Sequence, residues 1–262
     1  MFFDTHTHLD DEKFENMRGE LLAELPANGI APIMAIAADR ESCFSAVKLA
    51  EQHPFVLASV GQHPAAAQNM DEEQFAELAE LAKHPRVKCI GEIGLDYHWP
   101  EDTDKEMQKY WFIRQMELAD KLSLPVSIHS RDAMADTLEI LRMFPRVTGV
   151  MHCYAGSYHT MNELVKMGYY IALGGVVTFK NARVSHEVAQ YVPIDHLLIE
   201  TDCPYLAPEP HRGHLNTPLY VPLVAEKIAA LRHTDTEQIA KATRENGMRL
   251  FNITQKGEYE YE

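Results

Sequence analysis

The chain has 262 residues, 46% hydrophobic and 24% charged, an ordinary globular balance that sets aside fibrous and disordered classes and matches the ~250 residues of a (β/α)8 barrel. Lys and Arg number 24 against 39 Asp and Glu, a net charge of −15, and such a surface repels polyanions at long range, which argues against a non-specific nucleic-acid coat protein. It leaves room for an enzyme that meets a phosphodiester inside a metal-loaded cleft, because bound cations invert the local field.

In chain order, period and punctuation pick out eight short, β-rich apolar runs: 2–9, 30–37, 56–63, 87–96, 124–130, 148–154, 169–174 and 197–202. Polar residues interrupt the first of them. Helix-like amphipathic stretches lie between, among them 71–83, 105–121, 131–143 and 161–166, and 218–232 and 236–251 read as two further helices on the outside or at the base. Strands alternating with helices imply right-handed crossovers and a parallel sheet. Eight repeats in this length point to closure, so the expected fold is α/β, a TIM-like (β/α)8 barrel forming one domain over 1–262. The competing fold is an open doubly wound sheet, but its Gly-rich turn after the first strand is missing and His6-Thr7-His8 stands there instead. No internal repeat, low-complexity tract or linker is visible.

Four cysteines, Cys43, Cys89, Cys153 and Cys203, are scattered with no CxxC pair, a pattern that suits reduced cytosolic thiols. The first residues show no basic region followed by an apolar stretch, and no apolar run approaches the ~18 residues of a membrane span. A cytoplasmic protein without a membrane partner is the expectation.

The informative pattern is where the metal-type residues fall. His6 and His8 lie in the first run, Glu92 late in the fourth, His129 at the end of the fifth, His152 in the sixth and Asp202 at the end of the eighth. Barrel enzymes assemble their sites at the C-terminal strand ends, so donors far apart in sequence can meet at one mouth. Residues two apart in a strand share a face, which lets His6 and His8 both point inward. Imidazoles with carboxylates suit Zn, Mn, Fe or Ni, or Mg where oxygens dominate, and a carboxylate that reaches two ions holds them ~3.5–4 Å apart. Each residue has a plainer reading too: HxH alone is weak, Glu92 can be an acid beside a tight turn, and Asp202 can cap a helix. Those readings leave unexplained why unpaired His, Glu and Asp would crowd buried strand ends, where an uncompensated charge costs several kcal/mol.

Eight segments carry a likeness to a known family: FFDTHTHLD at the start, VGQHP at 60–64, IGEIGLDYH at 90–98, PVSIHSRDA at 125–133, MHCYAG at 151–156, GYYIALGGVVTFKNA at 168–182, LLIETDCPYLAP at 197–208 and HRGHLNTP at 211–218. Together, and in this order over nearly the whole chain, they resemble the TatD family of metal-dependent hydrolases in the amidohydrolase-like superfamily. The resemblance implies a (β/α)8 barrel and two divalent metal ions (Mg, Mn, Zn, Fe or Ni). It implies that His6, His8, Glu92 and Asp202 hold the first ion and that Glu92, His129 and His152 hold the second, with Glu92 bridging where many superfamily members use a carbamylated lysine. Departures are small: Cys203 stands where the family favours Ser or Ala, HCYAG where HCFSG is usual, and GLDYHW for a run richer in Tyr. A packing role for Cys203 is favoured over oxidation sensitivity.

The implied activity is hydrolysis of phosphodiester bonds in DNA, in the manner of a TatD-type deoxyribonuclease trimming single strands, with water attacking in line and Asp202 accepting its proton. His63, in GQHP, is placed to contact the phosphate or leaving group, with a structural role beside Pro64 equally open. Arg131, directly after the fifth run, and Arg212, in HRG, are candidates for phosphate oxygens, with pairing to nearby acids as the alternative. The same donors polarise a carbonyl, so an ester or amide hydrolase such as a D-aminoacyl-tRNA deacylase is the rival enzyme. A non-catalytic metal- or nucleotide-binding scaffold is the rival outside catalysis. It fits less well, because structural sites are closed by four ligands with no spare carboxylate.

Overall fold

The structure, a computed structural model, describes residues 1–98 and 104–253; the rest of the 1–262 domain expected from sequence lies outside the described residues. Strands β1 (Phe2–Thr7), β2 (Ile30–Ala35), β3 (Val56–Val60), β4 (Val87–Asp96), β5 (Val126–Arg131), β6 (Gly149–Met151), β7 (Tyr170–Leu173) and β8 (Leu197–Ile199) form one sheet in sequential order. Each pairs in parallel with its neighbour. Helices alternate with them: α1 (Arg18–Glu24), α2 (Arg40–Gln52), α3 (Glu72–Leu81), α4 (Lys105–Leu122), α5 (Met134–Met143), α6 (Tyr158–Lys166) and α7 (Arg183–Tyr191), followed by α8 (Val221–Arg232) and α9 (Thr236–Leu250).

The first and last strands meet through a bridge between Thr7 and Cys203, the Thr5 hydroxyl donating to Ile199 O (3.0 Å), and the amides of Asp202 and His8 donating to His6 O (3.0 Å) and Cys203 O (2.8 Å). The ring is thus nearly closed, and the fold is the (β/α)8 barrel; the open doubly wound sheet is ruled out. All eight apolar runs became strands because parallel strands covered by helices are buried on both faces and read as continuous hydrophobic stretches.

Six of the strands end earlier at the mouth than the sequence suggests, while β4 ends at Asp96 as expected and β5 runs one residue further, to Arg131. The sixth and eighth strands stop at Met151 and Ile199, leaving His152 and Asp202 on the loops just beyond. The helix expected at 131–143 begins instead at Met134; Arg131 still belongs to β5 and Asp132 takes a left-handed φ of 54°. Capping side chains start several helices: Asp39 and Ser42 form a reciprocal capping box on α2, while Asp71, Ser157 and Asp235 accept the amides of Gln74, Thr160 and Gln238.

Two apolar layers result. One lies between the strands and the outer helices. The other fills the barrel, with Phe3, Met34, Leu57, Cys89, Val150 and Leu198 from the strands and Met248 and Phe251 from the end of α9 closing the base. Phe3 and Phe251 meet with ring centroids 5.8 Å apart. A Cβ at Gly247 would come within 2.6 Å of the Phe3 ring, so only glycine lets α9 seat this closely.

Candidate metal centre

The donors named from sequence converge at the open end. Two departures from regular register make this possible. Phe3 and Cys89 point into the barrel core, so strict alternation would send His6, His8 and Glu92, of opposite parity, outward. The β1–β2 register shifts between Asp4 and Thr7, and the β4–β5 register shifts between Ile90 and Ile93. Each shift turns the residues beyond it to the other face.

Glu92 stands in the middle. Its Oε2 lies 3.5 Å from His6 Nε2 and 3.7 Å from His8 Nε2, while Oε1 lies 2.9 Å from His129 Nδ1, 2.8 Å from His152 Nε2 and 3.7 Å from His63 Nε2. Asp202 closes the first group, with Oδ1 3.5 Å from His8 Nε2 and 3.7 Å from His6 Nε2. The His6 and His152 rings stack at 3.8 Å and join the two groups. Three overlapping sets of potential ligands follow: His6, His152 and Asp202; His6, His8 and Glu92; His63, Glu92 and His129.

The groups behind the rings decide which nitrogen each ring presents. His8 Nδ1 faces Ile36 O at 3.1 Å, and a carbonyl only accepts, so the proton sits on Nδ1 and the Nε2 lone pair looks into the cluster. His129 Nε2 faces Asp96 Oδ2 at 3.1 Å, which leaves Nδ1 as its inward lone pair. His152 Nδ1 lies 3.5 Å from Glu200 Oε1, an ionic contact, and Glu200 in turn accepts the Cys153 amide at 2.5 Å. His63 is the opposite case. Its Nδ1 accepts the Ala65 amide at 3.1 Å, so in the neutral ring Nε2 carries the hydrogen and acts as a donor rather than a ligand.

These donors fit divalent cations. His6 Nε2 and His8 Nε2 approach to 3.3 Å, the spacing of two nitrogens each about 2.0–2.1 Å from one ion at a tetrahedral angle. Without a cation, a proton on His8 Nε2 can fill the space between these nitrogens and Asp202; a divalent ion that displaces it would engage both rings at once.

Electrostatics reinforce that reading. Burial opposes charge on Glu92, yet the imidazoles around it, His152 foremost, hold its carboxyl well below the usual range. Asp202 is likewise lowered against its own burial, chiefly by its hydrogen bond with His8. Burial works against protonation of His8, but Asp202 and Glu92 outweigh it and push the ring up to about 9. His129 and His152 are raised in the same way by Asp96, Glu92 and Glu200. His6 is lowered by burial, and His63 falls to about 4 for the same cause.

The loop carrying Asp202 is fastened on both sides. Buried Asp4 accepts the Thr201 amide (2.9 Å) and hydroxyl (2.6 Å), and Asn216 Nδ2 donates to Thr201 O (2.7 Å) and Tyr205 O (2.6 Å). Asp202 itself is held at φ 57°, and Cys153, after His152, at φ 44°. Left-handed backbone is uncommon for non-glycine residues, and both loops that aim a donor inward contain one. Cys203 is fully buried with its thiol pushed well above its ordinary value by burial, in keeping with a packing role.

The other sequence candidates are less central. Arg131 is exposed at the end of β5, near enough to Asp96 to favour its ionised form. Arg212 is exposed with its guanidinium 4.3 Å above the Phe179 ring, so neither joins the donor cluster. Asp96, Glu200, Asp4 and Asn216, which support that cluster, received no role from sequence. Asp96 and Glu200 were within reach of the criterion already applied to Glu92 and Asp202, a carboxylate at a C-terminal strand end.

A family model described as TatD related DNase matches residues 3–252. The chain belongs to the TatD family. A Bacillus subtilis metal-dependent hydrolase, YabD, is 44% identical over 97% of this chain and 100% of its own length. A protein of Erwinia tasmaniensis named 3′-5′ ssDNA/RNA exonuclease TatD is 31% identical, covering 96% of this chain and 100% of its own length. The crystal structure of the Escherichia coli TatD homologue YJJV superposes with a TM-score of 0.89 at 30% identity over 97% of this chain and 98% of that one. As a TatD-family member the protein is a metal-dependent hydrolase. Among the described residues no helix is long and apolar enough to cross a membrane.

Proposed function

We propose that this TatD-family protein, one barrel domain over 1–262, is a two-metal phosphodiesterase that removes nucleotides from the end of single-stranded DNA. The observation that carries the reading is the split of Glu92, with Oε2 turned to His6 and His8 and Oε1 to His129 and His152. One carboxylate serving two donor groups is the arrangement a bridging ligand needs. His6, His8, Glu92 and Asp202 would hold one divalent ion, and Glu92, His129 and His152 the other. Bound there, the ions supply an acidified water and neutralise charge on the non-bridging phosphate oxygens. The exonuclease name of the Erwinia relative supports a single-stranded nucleic-acid substrate.

The remaining steps belong to the chain. Asp202 is ionised, and its carboxylate receives the proton of the attacking water as the new oxygen–phosphorus bond forms and the bond from phosphorus to the leaving sugar oxygen breaks. His63 is neutral and donates from Nε2 to a phosphate oxygen or to the leaving oxygen. Arg131 and Arg212 meet flanking phosphates from the rim. Asp96 and Glu200 fix the rings of His129 and His152 and so act as positioning residues.

Glu92→Gln and Asp202→Asn test this reading, with divalent ions added, on labelled single-stranded DNA, a chromogenic phosphodiester and a panel of acyl esters. Turnover of the phosphodiesters drops about 10²–10⁴-fold in Asp202→Asn, and elemental analysis shows less bound metal in Glu92→Gln. Near-normal turnover in both variants ends the mechanism. Ester hydrolysis without phosphodiester hydrolysis moves the activity to acyl substrates.

A further inference from the structure

Beside the donor cluster lies a cavity of about 340 Å3, with His8, His63 and Glu92 among its lining and Tyr205, Asp10 and Asp39 on its wall. Its volume falls within the ~300–1,000 Å3 of small-ligand sites, and an occupant touches the side chains that crowd the reaction centre. Tyr205 is 46% exposed, yet it is firmly held. Its hydroxyl donates to Asp11 Oδ2 (2.9 Å), its amide to Asp202 O (2.9 Å), and its carbonyl accepts Asn216 Nδ2 (2.6 Å). Lys13 Nζ lies 4.3 Å from the ring centroid, and the ring meets His8 edge-on at 6.2 Å. An aromatic ring already fixed at both ends loses little entropy on packing against a ligand.

We propose that Tyr205 is the platform on which the terminal base of a single-stranded substrate stacks at this cavity, the 3′ end being taken from the name of the Erwinia relative; the inference rests on the nuclease reading above. Base stacking on an exposed aromatic ring tolerates any sequence, since every base has a π-face. The polar part of the wall suits an end of the chain rather than its continuation. A terminal sugar is uncharged and its free hydroxyl donates to a carboxylate, whereas a further phosphate would face Asp10, Asp11 and Asp39. Neither of the nearby cations is in the cavity lining: Lys13 lies over the Tyr205 ring, and Arg18 is engaged with the carbonyls of Leu9, Asp10 and Asp11. The cavity thus selects terminal attack and disfavours a terminal phosphate.

The experiment uses the metal-loaded full chain and 5′-labelled single strands that differ only at the 3′ terminus: an ordinary nucleoside, an abasic sugar, or a nucleoside bearing a 3′-phosphate. A mirror set carries the changes at the 5′ terminus. Wild-type kcat/KM is expected to be about tenfold lower for the abasic end, the size of one lost stacking contact, and lower again for the 3′-phosphate. In Tyr205→Ala the ordinary-to-abasic ratio falls toward one, and Tyr205→Phe restores it. In Asp10→Asn/Asp39→Asn the 3′-phosphate penalty narrows, with metal content checked by elemental analysis; Asn keeps the helix cap at position 39. Equal wild-type rates on ordinary and abasic 3′ ends, or discrimination at the 5′ end alone, overturn the subsite and leave the nuclease reading standing. Discrimination that survives in both Tyr205→Ala and Tyr205→Leu does the same. No hydrolysis of any oligonucleotide by metal-bound protein overturns both.

Discussion

Behind His129 stands Asp96, 3.1 Å from Nε2, and behind His8 stands the Ile36 carbonyl, 3.1 Å from Nδ1. Asp96 is itself kept in place, with its carboxylate accepting the His98 amide (2.9 Å) and its backbone carbonyl accepting Gln108 Nε2 (2.8 Å). In Asp96→Asn the side chain gains an N–H that can face His129 Nε2, and the ring then no longer has to present a lone pair at Nδ1. Metal affinity should fall about 10–100-fold, read by metal titration, and unchanged affinity would count against Asp96 as a positioning residue. The same electrostatics set the pH dependence. His8 is raised to about 9, so at neutral pH the metal-free ring holds a second proton that a cation must expel. Affinity should therefore climb from pH 7 toward 9 and weaken as pH falls, with proton release measurable by calorimetry in buffers of different ionisation enthalpy. Binding that is independent of pH over this interval contradicts the assignment.

Among the elements, β4 and β5 have the most to do with the centre, because Glu92, Asp96 and His129 all hang on their pairing. Gly94 has a φ of 140°, and a Cβ there would sit 2.0 Å from His129 O. Such a backbone costs other residues about 1–3 kcal/mol even without a clash. Gly94→Ala should lower the melting temperature and weaken metal binding together, since relief of the clash must move His129. A variant of wild-type stability and affinity would show that the two strands tolerate separation. The short β6 and β8 have a related cause. The run through His152 is apolar enough to read as strand, but the ladder ends where the side chains of neighbouring strands turn toward a common point and Cys153 adopts left-handed φ. Helix α2, outside the stretches singled out from sequence, carried a usable signal in Asp39 and Ser42, spaced as a capping box.

At the scale of the molecule, a net charge of −15 would oppose the approach of the nucleic acid proposed above as substrate. Raising monovalent salt from ~10 mM to ~100 mM shortens the screening length from ~30 to ~10 Å. KM for oligonucleotides should fall over that interval, the reverse of a nuclease with a basic surface; a steady rise in KM from the lowest salt would count against this picture. The barrel itself was legible without coordinates, because strands buried on both faces must be apolar along their length and strands joined by helices must run parallel. So was the meeting of His6, His8, Glu92, His129, His152 and Asp202 at one rim, because His, Glu and Asp at buried strand ends need a shared reason to be there. What only the folded chain decided are the relations between distant segments. Thr5 meets Ile199 across 194 positions, register shifts in β1 and β4 turn His6, His8 and Glu92 inward, and the Asp96 carboxylate and the Ile36 carbonyl choose the nitrogens that His129 and His8 turn to the centre. Local sequence fixes which residues want burial and which can donate; the parity, reach and protonation of each donor depend on neighbours that only closure of the barrel brings beside it.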